Sequence, residues 1–139
     1  QVAILAAFIP LLIGTGGNIG AQSATVVIRG LATGEIRPRR TLRIIGREAS
    51  VGLLLGISLA IAVLLWELMQ GHGYSVSFIV AASLLSVAVL GTAVGSALPF
   101  VFRLSRIDPA LVSAPLVTTV MDIAGVAVYF AIARMVFAI

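Results

Sequence analysis

The 139-residue sequence is 60% hydrophobic and only 10% charged, with a mean hydropathy of +1.20. A soluble domain of this length needs far more charge to cover its surface, so the composition indicates an integral membrane protein. The net charge of +4 comes from arginines that cluster in one loop, which argues for membrane topology and against nucleic acid binding. The absence of cysteine excludes disulfides, thiolate metal sites and cysteine nucleophiles.

Four apolar stretches are each long enough to cross a membrane, and they predict an all-α, polytopic transmembrane helix bundle. We expect the spans at about residues 2–28, 50–69, 76–102 and 109–137, which makes 1–139 a single transmembrane domain. The first span is apolar up to Ile13, with an expected kink at Pro10, and continues into the polar, glycine-rich run Gly14–Ser23. Because the chain starts at Gln1 inside an apolar run, we expect a fragment of a longer protein.

The arginines predict the orientation of the bundle. The expected loop 29–48 carries six of them: Arg29, Arg37, Arg39, Arg40, Arg43 and Arg47. Loop 103–108 adds two more, whereas 70–75 contains neither Lys nor Arg. The positive-inside rule then places both Arg-bearing loops in the cytoplasm and both chain ends outside, in a multi-pass protein of the cell inner (plasma) membrane. If the full protein has a cytoplasmic N-terminal region, an odd number of spans precedes Gln1. Segment 33–40 fits a surface helix or a solvated loop equally well.

Asp122 is the residue most expected to carry chemistry, because it is an acidic residue near the centre of a span. An ionised Asp at that depth costs about 2.5–3.5 kcal/mol to insert, so a helix retains it where it faces a bundle interior, a water-filled cavity or an ion path. The alternatives are a protonated Asp or one paired with a buried Arg, but every Arg lies near the end of an expected span. We therefore predict a functional role for Asp122.

Helical spacing gives Asp122 polar neighbours. Thr118 and Thr119 precede it by one turn, and Pro115 lies about one turn further back. A proline frees the carbonyl four residues earlier, so this face is expected to offer oxygen atoms to a hydrated ion. The alternative is that each threonine hydroxyl only bonds to its own helix backbone.

The run Gly14–Ser23 supports two interpretations. An unwound segment would expose carbonyl oxygens as hard ligands. A continuous helix would use Gly16-x-x-x-Gly20 as a packing face. The same spacing recurs in Gly52-x-x-x-Gly56 and Gly91-x-x-x-Gly95. Asn18 and Gln22 in the run favour a polar path.

The available donors are all oxygen atoms, which suits Mg²⁺, Ca²⁺ or Mn²⁺ better than Zn²⁺ or Cu²⁺. Mg²⁺ keeps several of its waters and so needs few direct carboxylates. A two-fold dimer would bring two copies of Asp122 to one axis, with a combined charge of −2. Glu67 is expected to be an interfacial charge and His72 a polar loop residue. Since no catalytic triad, zinc spacing or nucleotide fingerprint is present, we do not expect an enzyme.

Two segments resemble transmembrane helices of the MgtE family of magnesium channels. Pro10–Ile36, which reads PLLIGTGGNIGAQSATVVIRGLATGEI, resembles the second helix, and Asp108–Asp122, which ends in PLVTTVMD, resembles the fifth. The resemblance extends over the whole chain. It implies a homodimeric channel that passes hydrated Mg²⁺ inward, with five helices per subunit, of which this chain holds the last four.

The resemblance also implies the residues of the ion path. The ion would lie between the second and fifth helices near Asp122, faced by backbone oxygens of Gly17, Gly20 and Thr118. We expect the pore lining to include Asn18, Thr119 and Ala114, the last at a position where some members carry Asn. The implied partners are the magnesium ion, membrane lipid and a second copy of the chain, and no nucleic acid.

Two other functions remain open at this point. A secondary transporter would exchange a divalent cation for protons, with Asp122 as the alternating carrier. A structural or anchoring subunit would use Asp122 only for helix association.

Overall fold

The computed structural model describes residues 2–36, 40–71, 73–112 and 114–137, and these ranges are helical apart from short turns. The helices are α1 (Val2–Ala7), α2 (Ile9–Ala32), α3 (Thr41–Gln70), α4 (Tyr74–Leu104) and α5 (Ala114–Phe137), with a 3-10 turn at Pro109–Leu111. Four stretches are long and apolar enough to cross a membrane: Ile4–Ala32, Thr41–Glu67, Tyr74–Leu104 and Ala114–Phe137. The predicted all-α bundle with four spans is confirmed.

The expected kink at Pro10 is a break between α1 and α2. Phe8 forms a turn, and Pro10 lies in the first turn of α2. A proline has no N–H to donate, and its ring collides with the carbonyl four residues back, so the helix does not run through this point. The first span is therefore built from two helices.

α3 begins at Thr41 instead of near residue 50. Its first part has a half-buried stripe at helical spacing, formed by Thr41, Ile44, Ile45, Glu48 and Ala49. Arg43 and Arg47 point away from this stripe and are exposed, so charges that suggested a loop lie on the outer side of a helix. The connection shortens to 33–40. Residues 33–36 form a turn, Arg40 directly precedes α3, and 37–39 lie outside the described residues.

α4 is the central helix of the bundle. α3 packs on one side of it, and α2 and α5 pack on the other side, where they also contact each other. α2 and α4 run parallel, because Gly16 contacts Gly91 and Gly20 contacts Gly95. Lipid tails are as apolar as the side chains, so such a bundle depends on close van der Waals contact between helices.

The three small-residue patterns provide that contact. A Cβ atom at Gly91 would lie 2.9 Å from the Gly16 carbonyl oxygen, and one at Gly95 would collide with the carbonyl group of Gly20. On the other side of α4, a Cβ at Gly56 would lie 3.0 Å from the Leu85 Cα atom, and the equally buried Gly52 packs against Thr92. The glycines are thus packing positions, and α2 stays helical through the run that was also compatible with an unwound segment.

Candidate functional site

Polar side chains of two spans face outward from the bundle. On α2 they are Asn18, Gln22 and Thr25, and on α5 they are Thr119 and Asp122; all five are exposed. We call these five residues the polar surface. Asn18, Gln22 and Thr25 also line a shallow depression together with Ala21 and Val26.

The two helices that carry the polar surface meet at a glycine. A Cβ atom at Gly17 would lie 2.9 Å from Cγ2 of Thr118, so the backbone of α2 approaches α5 closely at this point. Asp122 follows Thr118 by one helical turn, so the two side chains lie on the same side of α5. Further along, the Tyr129 hydroxyl donates a buried hydrogen bond of 2.7 Å to the Leu5 carbonyl. Together these contacts define an antiparallel register for the two segments.

This register places Asn18 and Asp122 at neighbouring depths. Gly17 and Thr118 lie at the same depth. Because the two helices are antiparallel, Asn18 lies one residue from that level towards one side of the membrane, and Asp122 lies four residues from it towards the other. At a rise of 1.5 Å per residue, their Cα atoms are separated by about 7.5 Å along the helix axes. The polar surface therefore presents a carboxylate and an amide about one and a half turns apart.

The threonines beside Asp122 bond to their own helix. The hydroxyls of Thr118 and Thr119 both donate to the Pro115 carbonyl oxygen, at 3.0 and 2.8 Å. Their oxygens keep lone pairs that accept hydrogen bonds, which suits contact with the waters of a hydrated cation. The expectation that Pro115 frees a carbonyl in this helix is wrong. Pro115 lies in the first turn of α5, and the residue four before it, Leu111, precedes the helix.

The glycines expected to face an ion are both buried. A Cβ at Gly20 would lie 2.9 Å from Cγ1 of Val117, and the Gly20 carbonyl packs against Gly95 of α4. Gly20 therefore faces the bundle interior, whereas Gly17 lies at the contact between α2 and α5. Ala114, at the start of α5, is exposed. Ion contact by the backbone oxygens of Gly17, Gly20 and Thr118 stays a prediction.

Gly14 is a residue that the sequence did not single out. A Cβ placed there meets nothing within 4 Å, and the residue is exposed, in contrast to the packed Gly16, Gly17 and Gly20. The register of α2 against α5 brings Gly14 near the level of Asp122. Its membership of the glycine run was visible in the sequence, but only the packing separates it from the others.

A second polar link was also not predicted. The buried Ser23 hydroxyl of α2 donates a hydrogen bond of 2.9 Å to the Glu48 carboxylate of α3, which is half-buried. Ser23 is adjacent to Gln22 of the polar surface, so this bond joins that helix to α3. The two residues are 25 positions apart, and no local pattern pairs them.

Glu67, which the sequence predicts to be an interfacial charge, is buried in the structure. Its side chain is only 1% exposed, because the end of α3 packs against the start of α4. It lines a small cavity with Gly71, Gly73, Tyr74 and Ser77. His72 lies outside the described residues.

One chain supplies few charged ligands. Over the described ranges, no group of three or more His, Cys, Asp and Glu side chains comes together to hold a metal ion. Asp122 is the carboxylate of the polar surface, with amide and hydroxyl groups as its neighbours. Such an arrangement favours a hydrated, oxygen-preferring cation over a dehydrated ion held by many ligands.

Comparison with known proteins shows the family of the chain. The model of the MgtE family, described as a divalent cation transporter, matches residues 9–132. The chain is 42% identical over 134 residues to the magnesium transporter MgtE of Thermus thermophilus, covering 96% of the chain and 30% of the relative. It is 38% identical over 137 residues to the magnesium transporter MgtE of Bacillus subtilis, again covering 96% of the chain and 30% of the relative.

A third relative, the magnesium transporter MgtE of Enterococcus faecalis, is 33% identical over 139 residues, which covers 97% of the chain and 30% of the relative. The chain thus spans about 30% of the length of the curated relatives it matches. The family match extends from the start of α2 almost to the end of α5 and covers most of all four spans. This chain belongs to the MgtE family of divalent cation transporters.

Proposed function

We propose that the polar surface lines a pathway for Mg²⁺ across the membrane, completed by a second copy of the chain related by a two-fold axis. The observation that carries this proposal is the exposure of Asp122 on the outside of the bundle, at the middle of a span. The three relatives, each named a magnesium transporter, support the choice of ion.

The dimer follows from the cost of exposing a carboxylate to hydrocarbon. An ionised Asp in a span faces protein or water, because lipid tails offer it no hydrogen bonds. A single chain leaves Asp122 uncovered, so a further element is needed to cover it. A two-fold axis beside α2 and α5 supplies an identical polar surface and places two carboxylates near one path, which gives a charge of −2 for a divalent ion.

The chemistry of the polar surface fits an ion that retains water. Mg²⁺ dehydrates reluctantly and is bound through few carboxylates. In this proposal Asp122 attracts the ion, while the Asn18 amide oxygen and the Thr119 hydroxyl oxygen accept hydrogen bonds from its waters. Gly14 leaves the space beside Asp122 open, and the packed Gly17 holds the two pore helices at a short separation.

The direction of movement follows from the charge of the ion. The free energy of a divalent cation falls by about 4.6 kcal/mol per 100 mV when it moves into a cell whose interior is negative. A channel therefore needs no second ion to drive uptake. With the Arg-bearing loops in the cytoplasm, Mg²⁺ enters from the side on which α3 ends and α4 begins.

The test is Asp122→Asn in the full-length protein, which removes the charge at nearly constant volume. We expect Mg²⁺ uptake into proteoliposomes, followed with an internal Mg²⁺ dye, to fall to the background of empty vesicles. Glu35→Gln is the matched control, because Glu35 lies in the exposed turn after α2. Unchanged uptake by Asp122→Asn, with protein correctly inserted, would refute the role of Asp122.

Two further measurements separate this pathway from the other functions. Proton movement in fixed ratio to Mg²⁺ would show exchange with Asp122 as carrier, whereas single-channel currents would show a channel. A cysteine at Thr119 should be joined between two copies by a bifunctional maleimide cross-linker in a cysteine-free background, and one at Leu54 on the outer side of α3 should not. Cross-linking through Leu54 alone would contradict the proposed axis.

A further inference from the structure

An apolar groove lies between α3 and α4 at the Arg-bearing end of the bundle, away from the polar surface. It has a volume of about 640 Å³, within the range of about 300–1,000 Å³ that is usual for pockets that bind small molecules. Its lining consists of Thr41, Ile45, Ala97, Phe100, Val101 and Leu104, with Arg103 and Arg106. An apolar groove at the end of two spans, with two cations at its rim, matches the amphipathic structure of a lipid.

The backbone conformation at Arg106 indicates, independently of the groove, that an arginine side chain is needed at this position. The helix ends of α2 and α3 place glycines in the left-handed region, Gly34 at a φ of 76° and Gly71 at 73°. After α4, Arg106 occupies that region at a φ of 59°, and the turn closes with a hydrogen bond of 2.9 Å from Ile107 N to Phe102 O. A residue with a Cβ is disfavoured here relative to glycine. The helix end therefore holds an arginine against its backbone preference.

The described carboxylates leave the guanidinium groups of Arg103 and Arg106 unneutralised. Within the described ranges, neither Arg103 nor Arg106 has an ion pair with a carboxylate. Asp108, the nearest carboxylate along the chain, accepts a hydrogen bond of 2.9 Å from the Ala110 backbone N–H. The rim of the groove is therefore positively charged, while its floor is apolar.

We propose that this groove binds an anionic phospholipid. An acyl chain lies against Ile45, Ala97 and Val101, and the phosphate group is bound by Arg103 and Arg106. Basic pockets between transmembrane helices are suited to anionic headgroups, and the guanidinium group pairs with phosphate through two parallel hydrogen bonds. A second copy of the chain would bring the same two positive charges, which makes it a poor occupant.

A lipid in this groove would contact the helices that support the proposed pathway, although the groove is not part of that pathway. α3 and α4 flank the groove, and α4 is the helix against which α2 and α5 pack. A bound lipid ties the first turn of α3 to the last turn of α4. We therefore expect the lipid to stabilise the bundle, and Mg²⁺ binding at Asp122 is not needed for it.

The experiment compares phosphatidylglycerol with phosphatidylcholine, each added to the full-length protein in detergent and followed by native mass spectrometry and thermal unfolding. We expect the wild-type protein to prefer phosphatidylglycerol. A surface Arg contributes about fivefold to binding of an anionic headgroup. The double variant Arg103→Gln with Arg106→Gly should therefore lose about 25-fold of that preference. Its stability in phosphatidylcholine should be unchanged or higher, because Arg106→Gly relieves the left-handed backbone.

The matched control is Arg43→Gln with Arg47→Gln, which removes two exposed arginines of α3 that do not line the groove. This variant should keep the preference for phosphatidylglycerol. An equal loss in both double variants would overturn the proposal, since it would show a general effect of surface charge. Glycerol phosphate without acyl chains should not raise the unfolding temperature, and a rise equal to that with phosphatidylglycerol would also overturn it. So would occupation of the groove by another segment of the protein that excludes lipid.

Discussion

Two outward surfaces of this bundle differ sharply, although both lie at the middle of spans. The outer side of α3 exposes large apolar side chains around its centre: Leu53, Leu54, Leu55, Ile57 and Ile61. The one polar side chain among them, Ser58, bonds to its own helix. The polar surface on α2 and α5 exposes Asn18, Gln22, Thr25, Thr119 and Asp122. Exposure in a single chain thus has two meanings. The first surface is suited to lipid, and the second requires water or protein against it.

The largest effect is expected from a substitution that makes the α3 surface resemble the polar surface. Leu54→Asp places a carboxylate on the outer side of α3 at mid-span, where we expect a cost of about 3 kcal/mol because nothing covers it. Membrane-inserted yield should fall, whereas the reverse change, Asp122→Leu, should leave insertion intact while uptake of Mg²⁺ is lost. Normal insertion of Leu54→Asp would show that the α3 surface does not face lipid.

The next effect tests whether packing against α4 holds the polar surface in place. Gly95→Ala drives a methyl group into the carbonyl of Gly20 on α2. Overpacking of this kind costs about 1–3 kcal/mol. We expect a lower unfolding temperature and reduced uptake. Gly46→Ala on the exposed side of α3 meets nothing within 4 Å and should stabilise the protein by up to about 1 kcal/mol.

A smaller effect concerns the hydrogen bond between the two regions. Ser23→Ala removes the hydroxyl that donates to Glu48, and we expect a loss of about 1 kcal/mol in the free energy of unfolding. Ser58 is the control, because its hydroxyl bonds only to the Leu54 carbonyl on the exposed side of α3. Ser58→Ala should change stability by less than about 0.5 kcal/mol. Equal losses in the two variants would mean that the link to Glu48 adds nothing.

The smallest effect is expected from a single hydroxyl on the polar surface. Thr119→Val keeps the shape of the side chain but removes an oxygen that contacts waters of the ion in the proposed pathway. Stability should change by less than about 0.5 kcal/mol, and the rate of Mg²⁺ uptake should fall measurably. Ile61→Val on α3 should affect neither quantity. A Thr119→Val protein with full uptake would place the path away from this side of α5.

Much of the fold was predictable because it depends on local patterns. Hydropathy over about 20 residues identified four spans, and Pro10 marked the break between α1 and α2. The start of α3 differs from the prediction because the charges of Arg43 and Arg47 indicate a loop, whereas an amphipathic helix also exposes arginines on one side. The burial of Glu67 was missed for a related reason. Its environment depends on the start of α4, and the pattern of α3 alone does not include it.

The sequence by itself determined the membrane class, the family and the choice of Asp122 as the expected functional residue, because hydropathy, motif and charge are properties of short segments. The tertiary structure decided how the glycines divide: Gly16, Gly17 and Gly20 pack against neighbouring helices, whereas Gly14 is open beside the polar surface. It also paired Ser23 with Glu48 and turned Asp122 to the outside of the bundle. These outcomes depend on which helices meet and in what register, and that is settled by packing between segments far apart in the chain.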